Sequence, residues 1–166
     1  MSFLRPRILN SADYLKDFDC GEPVLNQWLK NHGLQNNKLN GTLTFVIEND
    51  NGQIAAFYSL VMAEVQPEHV SAKLKSGMGK YPIPVIKLTR MGVDLRFQKL
   101  GLGQGIIREL FKKSLELSHE IGFKAIVVDP LNENARSFYK SVHFKENNFG
   151  KPFMYITVPE IAAALK

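Results

Sequence analysis

A cluster of glycines between a predicted strand and a predicted helix could bind an anion. The segment 98–105 reads QKLGLGQG. Glycine has no Cβ atom, so the main chain can approach a diphosphate closely, and the first amides of a following helix have no intrahelical acceptor. The segment lacks the GxxxxGK[ST] pattern of an ATP-binding loop, and Ile106 stands where a GxGxxG dinucleotide motif needs its third glycine. Anion binding and simple close packing of helix on sheet are both open for this turn.

The elements that position this turn follow from the spacing of apolar residues. The stretch 85–93, VIKLTRMGV, predicts a strand before the turn, and apolar residues at helical spacing predict a helix after it that ends at Gly122. KAIVVD at 124–129 predicts a buried strand, Asn132 is a candidate N-cap of a further helix, and PFMYITV at 152–158 predicts the last strand. The second half of the chain therefore alternates strands with helices.

The first half adds a helix and a hairpin. Pro23 suits a first helical position, and an amphipathic helix with a buried tryptophan is predicted by the spacing of Val24, Leu25, Trp28, Leu29 and His32. Two β-rich runs, TLTFVIE and QIAAFYSLVMAEV, flank an NDNG sequence at 49–52 that is typical of a hairpin turn. The stretch 67–84 predicts a loop with at most a short helix at 71–76. These elements predict an α/β domain with a mixed sheet, parallel where helices cross over and antiparallel in the hairpin.

Composition narrows the class of protein. A chain of 166 residues, of which 45% are hydrophobic, predicts one domain over residues 1–166. The lone Cys20 excludes an intrachain disulfide and a cysteine-based metal site, and no apolar run approaches the ~20 residues of a membrane span. We therefore expect a cytoplasmic protein that holds no metal.

Charge is distributed unevenly along the chain. Residues 1–65 contain five Lys or Arg and seven Asp or Glu, whereas residues 66–166 contain sixteen and nine, so the two parts carry −2 and +7. A basic second half suits a polyanionic partner, either nucleic acid or a phosphate-rich cofactor. It equally suits a solvated lysine-rich surface.

Two separated motifs resemble the signatures of the GNAT superfamily of N-acetyltransferases. The Q-x-x-G-x-G pattern at 98–103, after a strand that ends in MGV, is similar to the acyl-CoA motif of that superfamily. NENARSFY at 132–139, followed by His143 and Phe144, is similar to its second motif, a short helix that carries a tyrosine and leads into Gly-Phe. Histidine replaces the usual glycine at position 143. The resemblance implies a GNAT-like mixed, mostly antiparallel central sheet that is splayed at the acyl-CoA site and flanked by helices, with acetyl-CoA as the cofactor.

The resemblance also implies roles for individual residues. The backbone at Met91–Val93 would pair with the pantetheine arm, the amides of 100–105 would hold the diphosphate, and Asn134 and Tyr139 would face the cofactor from the other side. The implied cofactor-binding set is Met91, Gly92, Val93, Gln98, Lys99, Leu100, Gly101, Leu102, Gly103, Gln104, Gly105, Asn134 and Tyr139.

Tyr139 is the candidate general acid of an acetyl transfer. A phenol with a reference pKa of ~10 stays protonated at neutral pH, so it can donate to a leaving thiolate whose thiol has a reference pKa of ~8.5. A backbone N–H near Met91 is a candidate donor to the thioester carbonyl. No spacing singles out a general base, and the candidates are Asp129, Glu64, Asp94 and His69. A water chain, or an acceptor amine of low pKa, would remove the need for one.

The chain also resembles a narrower group, the GNAT toxins of bacterial toxin–antitoxin pairs. The resemblance is carried by FDCGEPVLNQWL at 18–29, YPIPVIKLTRMGVD at 81–94 and FQKLGLGQ at 97–104. Those toxins acetylate the amino group of aminoacyl-tRNA. The resemblance therefore implies that substrate, with Arg90 as a substrate-binding residue beside the acceptor, and it implies a homodimer and a ribbon-helix-helix antitoxin as partner.

One departure from those toxins leaves the acceptor open. Where they commonly have a His-Ala pair, this chain has Val128 and Asp129. A carboxylate there would repel an RNA backbone and would suit a cationic small amine. The alternatives are a small-amine or protein N-acetyltransferase, and a non-catalytic regulator that senses acyl-CoA or binds nucleic acid.

Overall fold

The computed structural model describes residues 2–166. The chain divides into two units, of which the first contains residues 2–61 and 89–106 and the second contains residues 62–88 and 107–166. Within residues 2–166, no helix combines the length and the apolar character needed to cross a membrane. The single domain over residues 1–166 stays a prediction.

The strands that lie within residues 2–166 form one seven-stranded sheet. They are β1 (Arg7–Ile8), β2 (Leu43–Glu48), β3 (Ile54–Val65), β4 (Ile83–Val93), β5 (Ala125–Val128), β6 (Lys145–Asn147) and β7 (Phe153–Thr157). Their order in the sheet is β1-β2-β3-β4-β5-β7-β6. β4 and β5 are parallel, whereas β1–β2, β2–β3, β5–β7 and β6–β7 are antiparallel pairs. The expected mixed, mostly antiparallel sheet is confirmed, and so is the hairpin of β2 and β3.

The helices within residues 2–166 are short except for one. They are α1 (Pro23–Trp28), α2 (Leu34–Lys38), α3 (Ala72–Lys75), α4 (Leu102–Leu117), α5 (Glu133–Ser141) and α6 (Val158–Ala164). The short helix expected at 71–76 is confirmed as α3. β1, β6 and α6 were not predicted, and α6 begins with a capping box between Thr157 and Glu160.

The leading helix of the first unit is irregular. It begins at Pro23 as predicted, but Leu29–Gly33 form a π-helical turn before α2. A π-helical turn holds more residues than an α-helical turn, so the 3.6-residue period does not continue through it. His32 is exposed and Val24 is 68% exposed, so the predicted inward face is wrong at these two positions. Trp28 is only partly buried and packs against a cluster that contains Leu9, Phe18, Cys20, Leu29, Val46, Ile54 and Phe57.

α4 ends about one turn earlier than predicted. The Ser118 hydroxyl donates to the carbonyl of Leu115 at 2.6 Å, and the His119 N–H donates to the carbonyl three residues back instead of four. These bonds tighten the chain and end the helix at Leu117. Gly122 does not have the positive φ of a helix-terminating glycine, so its predicted role is wrong.

Gly92 in β4 lies against the core of the first unit. A Cβ atom at this position would lie 3.0 Å from the ring of Phe57 and 3.1 Å from Cys20 Sγ. Both neighbours are buried, so neither can withdraw easily. The absence of a side chain at Gly92 is therefore required by packing.

We expect Gly92→Ala to lower the free energy of unfolding by about 1–3 kcal/mol, because the added methyl overpacks the core. Urea denaturation measures the change. The matched control is Gly122→Ala, since no heavy atom lies within 4 Å of a Cβ atom there and its φ is ordinary. Equal stabilities for the two variants would contradict the packing argument.

Candidate active site

The glycine turn joins β4 to α4 in the first unit. After a 3₁₀ turn at Leu95–Phe97, the chain enters the left-handed region at Lys99 (φ 63°) and at Gly101 (φ 81°). The Gly105 N–H donates to the Gly101 carbonyl at 3.0 Å, which is the first hydrogen bond of the helix. The N–H groups of 102–104 precede that bond and have no intrahelical acceptor. The turn therefore presents a helix N-terminus to an anion.

The turn has room for a diphosphate. No heavy atom lies within 4 Å of a Cβ atom built at Gly105, and the nearest atom at Gly101 is Gln104 Oε1 at 3.6 Å. The exposed residues of the segment are Gln98, Lys99, Leu100, Gly101, Gln104 and Gly105, while Leu102 and Gly103 are half-buried. An anion here would meet helix amides and the charge of Lys99, so the residues present fit the diphosphate of acetyl-CoA.

The side chain of Gln98 bonds to the main chain. Its Nε2 donates to the carbonyl of Val93 at 2.9 Å and to the carbonyl of Cys20 at 3.1 Å. These bonds hold together the two ends of the bend that leads into the turn. The predicted contact of Gln98 with the cofactor stays a prediction, and its side-chain amide already has two acceptors.

The C-terminal part of β4 extends beyond its pairing with β5. The pairs run from Val85↔Ala125 to Leu88↔Val128, where β5 ends. The five residues Thr89–Val93 therefore continue without partners in that strand. This stretch includes Met91–Val93, whose backbone the family resemblance assigns to the pantetheine arm, and that assignment stays a prediction.

Arg90 stacks on an aromatic ring in the first unit. Its guanidinium carbon lies 4.0 Å from the centroid of the Trp28 ring, and Trp28 in turn stacks on Phe57 with 6.5 Å between ring centroids. Burial lowers the pKa of Arg90 below its usual value. Within residues 2–166 no carboxylate forms an ion pair with this guanidinium. The Trp28 ring therefore holds the Arg90 guanidinium in place, and no carboxylate of the described residues neutralises its charge.

Tyr139 is held in the second unit by the way α5 ends. The N–H of Phe144 donates to the Tyr139 carbonyl at 3.0 Å, and the N–H of His143 donates to the Lys140 carbonyl at 3.1 Å. With His143 at φ 79°, these bonds form a Schellman motif. The ring of Phe144 packs on that of Tyr139 with 5.4 Å between centroids, which is the apolar contact that accompanies this motif. The same residues of the second motif therefore both end the helix and hold Tyr139 in place.

Burial keeps the phenol of Tyr139 protonated. The residue is 6% exposed, and burial raises the pKa of its phenol well above the usual value. Within residues 2–166 no group forms a hydrogen bond with its hydroxyl. Tyr139 can therefore act as a proton donor at neutral pH. Asn134 lies on the first turn of the same helix and is exposed.

Two of the four candidate bases already have partners. Asp94 is buried, and hydrogen bonds from Arg96 and from the Asp19 N–H lower its pKa, although burial alone would raise it. Asp129 forms an ion pair with Lys87 at 2.9 Å. Glu64 and His69 are exposed. The positions and partners of these four residues do not identify the general base.

Comparison with known proteins identifies the family. Residues 9–144 match the Acetyltransferase (GNAT) family. The chain belongs to this family. The predicted fold and the predicted N-acetyltransferase class are confirmed.

Individual relatives cover most of the chain. A tRNA-acetylating toxin of Mycobacterium tuberculosis is 34% identical over 139 residues, which are 84% of this chain and 81% of the relative. A structure of AtaT complexed with acetyl-methionyl-tRNAfMet has a TM-score of 0.89 at 23% identity, covering 99% of this chain and 100% of that chain. A structure of AtaTR bound with acetyl-CoA has a TM-score of 0.84 at 25% identity, covering 98% of both chains.

Sequence reasoning placed the turn and the tyrosine but missed what supports them. Helical spacing predicted that Trp28 would be buried, but it did not indicate that Trp28 stacks under Arg90. Nothing in the sequence indicated a left-handed conformation at Lys99. The Schellman motif did have a signal, because the family motif places Gly-Phe where this chain has His143 and Phe144.

We expect His143→Gly to raise the free energy of unfolding by about 1 kcal/mol, because glycine adopts the left-handed conformation without the steric cost that a Cβ atom imposes. Chemical denaturation measures the gain. The control is Asn40→Gly at φ 56°, where asparagine already tolerates this conformation and a smaller gain is expected. A loss of stability in His143→Gly would show that the imidazole makes a contact that outweighs the backbone cost.

Proposed function

We propose that this chain transfers the acetyl group of acetyl-CoA to the α-amino group of an aminoacyl-tRNA. The observation that carries the acceptor is the 34% identity with a tRNA-acetylating toxin over 139 residues. The donor is supported by the match to AtaTR bound with acetyl-CoA and by the fit of the glycine turn to a diphosphate. When bound, acetyl-CoA supplies an acetyl group activated as a thioester.

The residues of the first unit bind and orient in this proposal. The amides of 100–104 and the side chain of Lys99 hold the diphosphate, and the backbone of Met91–Val93 pairs with the pantetheine arm. The N–H of Gly105, which the family resemblance also assigns to the diphosphate, already donates to the Gly101 carbonyl. A main-chain N–H near Met91 donates to the carbonyl oxygen that gains charge. Arg90, stacked on Trp28, binds an anionic group of the acceptor.

Two residues of the second unit also have roles in this proposal. The phenol of Tyr139 gives its proton to the departing sulfur, since burial holds it in the protonated form. Asn134, on the same helix, binds the cofactor. The α-amino group of an aminoacyl ester is partly neutral near pH 7, so the reaction does not require a strong base from the chain.

The ion pair of Lys87 with Asp129 weakens the argument for a small cationic amine as the acceptor. The departure at Asp129 suggested an anion in the path of the acceptor, but Lys87 lies 2.9 Å from that carboxylate. Because Lys87 balances the charge of Asp129 locally, this carboxylate repels an RNA backbone less and attracts a cation less.

We also propose that the chain works in the cytoplasm, as a homodimer, and that a ribbon-helix-helix antitoxin inhibits it.

Labelled acetyl-CoA incubated with separate pools of charged tRNA, polyamines and peptides tests the acceptor. We expect label in the charged tRNA that is released when the aminoacyl ester is hydrolysed. Transfer to polyamines or peptides instead would establish the small-amine or protein alternative. Tight binding of CoA without transfer to any pool would establish the non-catalytic regulator.

Tyr139→Phe tests the general acid. We expect the single-turnover acetylation rate to fall by about 10²–10⁴-fold with unchanged CoA affinity, since the ring is kept and only the proton donor is removed. Rapid-quench kinetics and calorimetry measure the two quantities. The matched control is Tyr155→Phe, another buried tyrosine of the second unit, whose hydroxyl lies 3.5 Å from Ser71 Oγ. An unchanged rate in Tyr139→Phe would remove Tyr139 from this role.

A further inference from the structure

Asp94 joins the end of β4 to a segment far away in the sequence. The residue is 1% exposed. Its Oδ2 accepts from the Asp19 N–H at 3.0 Å and from Arg96 Nη2 at 3.1 Å, while its Oδ1 accepts from Arg96 N and Nε, both at 2.9 Å. Four donors therefore surround one carboxylate, and all of them lie in the first unit.

The same segment returns hydrogen bonds to the bend after Asp94. The Leu95 N–H donates to the Asp19 carbonyl at 2.8 Å, and Gln98 Nε2 donates to the Cys20 carbonyl at 3.1 Å. Residues 94, 95 and 98 are thus each tied to Asp19 or Cys20. The bend between β4 and the glycine turn is fixed along its whole length.

The segment that receives these bonds is itself anchored to α1. Asp19 Oδ1 accepts from the Gly21 N–H and from Asn26 Nδ2, both at 2.8 Å, and Asn26 Oδ1 accepts from the Cys20 N–H at 2.9 Å. We call Asp19–Gly21 together with Asn26 the anchor. The anchor is a rigid support because the main-chain N–H and carbonyl groups of Asp19 and Cys20, and both polar atoms of the Asn26 side chain, have partners inside the first unit.

The left-handed Lys99 directly follows this fixed bend. A non-glycine residue stays in a sparsely populated conformation only when its surroundings impose it. We propose that Asp94 is a positioning residue for the diphosphate of the acetyl donor, acting by locking the turn 98–105 to the anchor. This role rests on the proposed use of acetyl-CoA. It also gives a function to FDCG and Asn26 within the motif FDCGEPVLNQWL at 18–29.

Asp94→Asn tests this role, because it keeps the shape of the side chain but replaces a charged acceptor oxygen with a donor. Calorimetry with CoA and with pantetheine, which lacks the diphosphate, measures binding. We expect affinity for CoA to fall about tenfold and affinity for pantetheine to stay unchanged. In steady-state assays, kcat/KM should fall by the same factor with acetyl-CoA and stay unchanged with acetyl-pantetheine.

Asp13→Asn is the matched control. Asp13 is also a shielded carboxylate of the first unit, which accepts from Arg7 at 2.6 and 3.0 Å and from the Asn10 N–H at 2.8 Å. We expect this variant to lose stability without changing the ratio between the two donors. Asn26→Ala weakens the anchor while leaving Asp94 intact, and it serves as a second test if Asp94→Asn does not fold.

Equal losses with both donors in Asp94→Asn or Asn26→Ala would overturn the proposal, because a purely structural role does not distinguish the donors. Unchanged CoA affinity would also overturn it. Calorimetry needs no acceptor, so a wild-type protein that binds CoA but fails to acetylate charged tRNA would refute the proposed acceptor and leave this test intact.

Discussion

The amides at the start of α4 are the feature on which the candidate site depends. A helix N-terminus attracts a diphosphate only if the chain enters it with its first N–H groups directed outward. Here the entry uses two left-handed residues, and one of them is a lysine. The steric cost at Lys99 is about 1 kcal/mol, and it is offset by hydrogen bonds that fix the preceding residues. The proposed binding site and the backbone strain therefore lie in the same few residues.

The sequence predicted the elements around the candidate site well because their motifs are local. The glycine turn, the strand before it and the capped helix with Tyr139 are all specified by residues close together in the chain, and the structure contains each of them. Gln98 shows where this kind of reasoning stops. Its contact with the cofactor stays a prediction, and no motif indicated that its side chain bonds to the carbonyl of Cys20, 78 residues away. A partner at that separation leaves no local pattern.

Each error in the predicted elements has its own physical cause. The helical period assigned His32 to a buried face because a regular α-helix was assumed, whereas Leu29–Gly33 adopt a wider π-helical turn. α4 was extended to Gly122 on the strength of Ile121, which is 50% exposed in the structure. β6 has only three residues, and its pairing with β7 is not visible in so short a stretch.

The support of Tyr139 comes from its own neighbours in the chain. The hydrogen bonds that end α5 and the ring contact with Phe144 span no more than five residues. Structure with such small sequence separation forms quickly, without waiting for distant strands to meet. The backbone that carries the phenol can therefore form before the more distant parts of the fold come together.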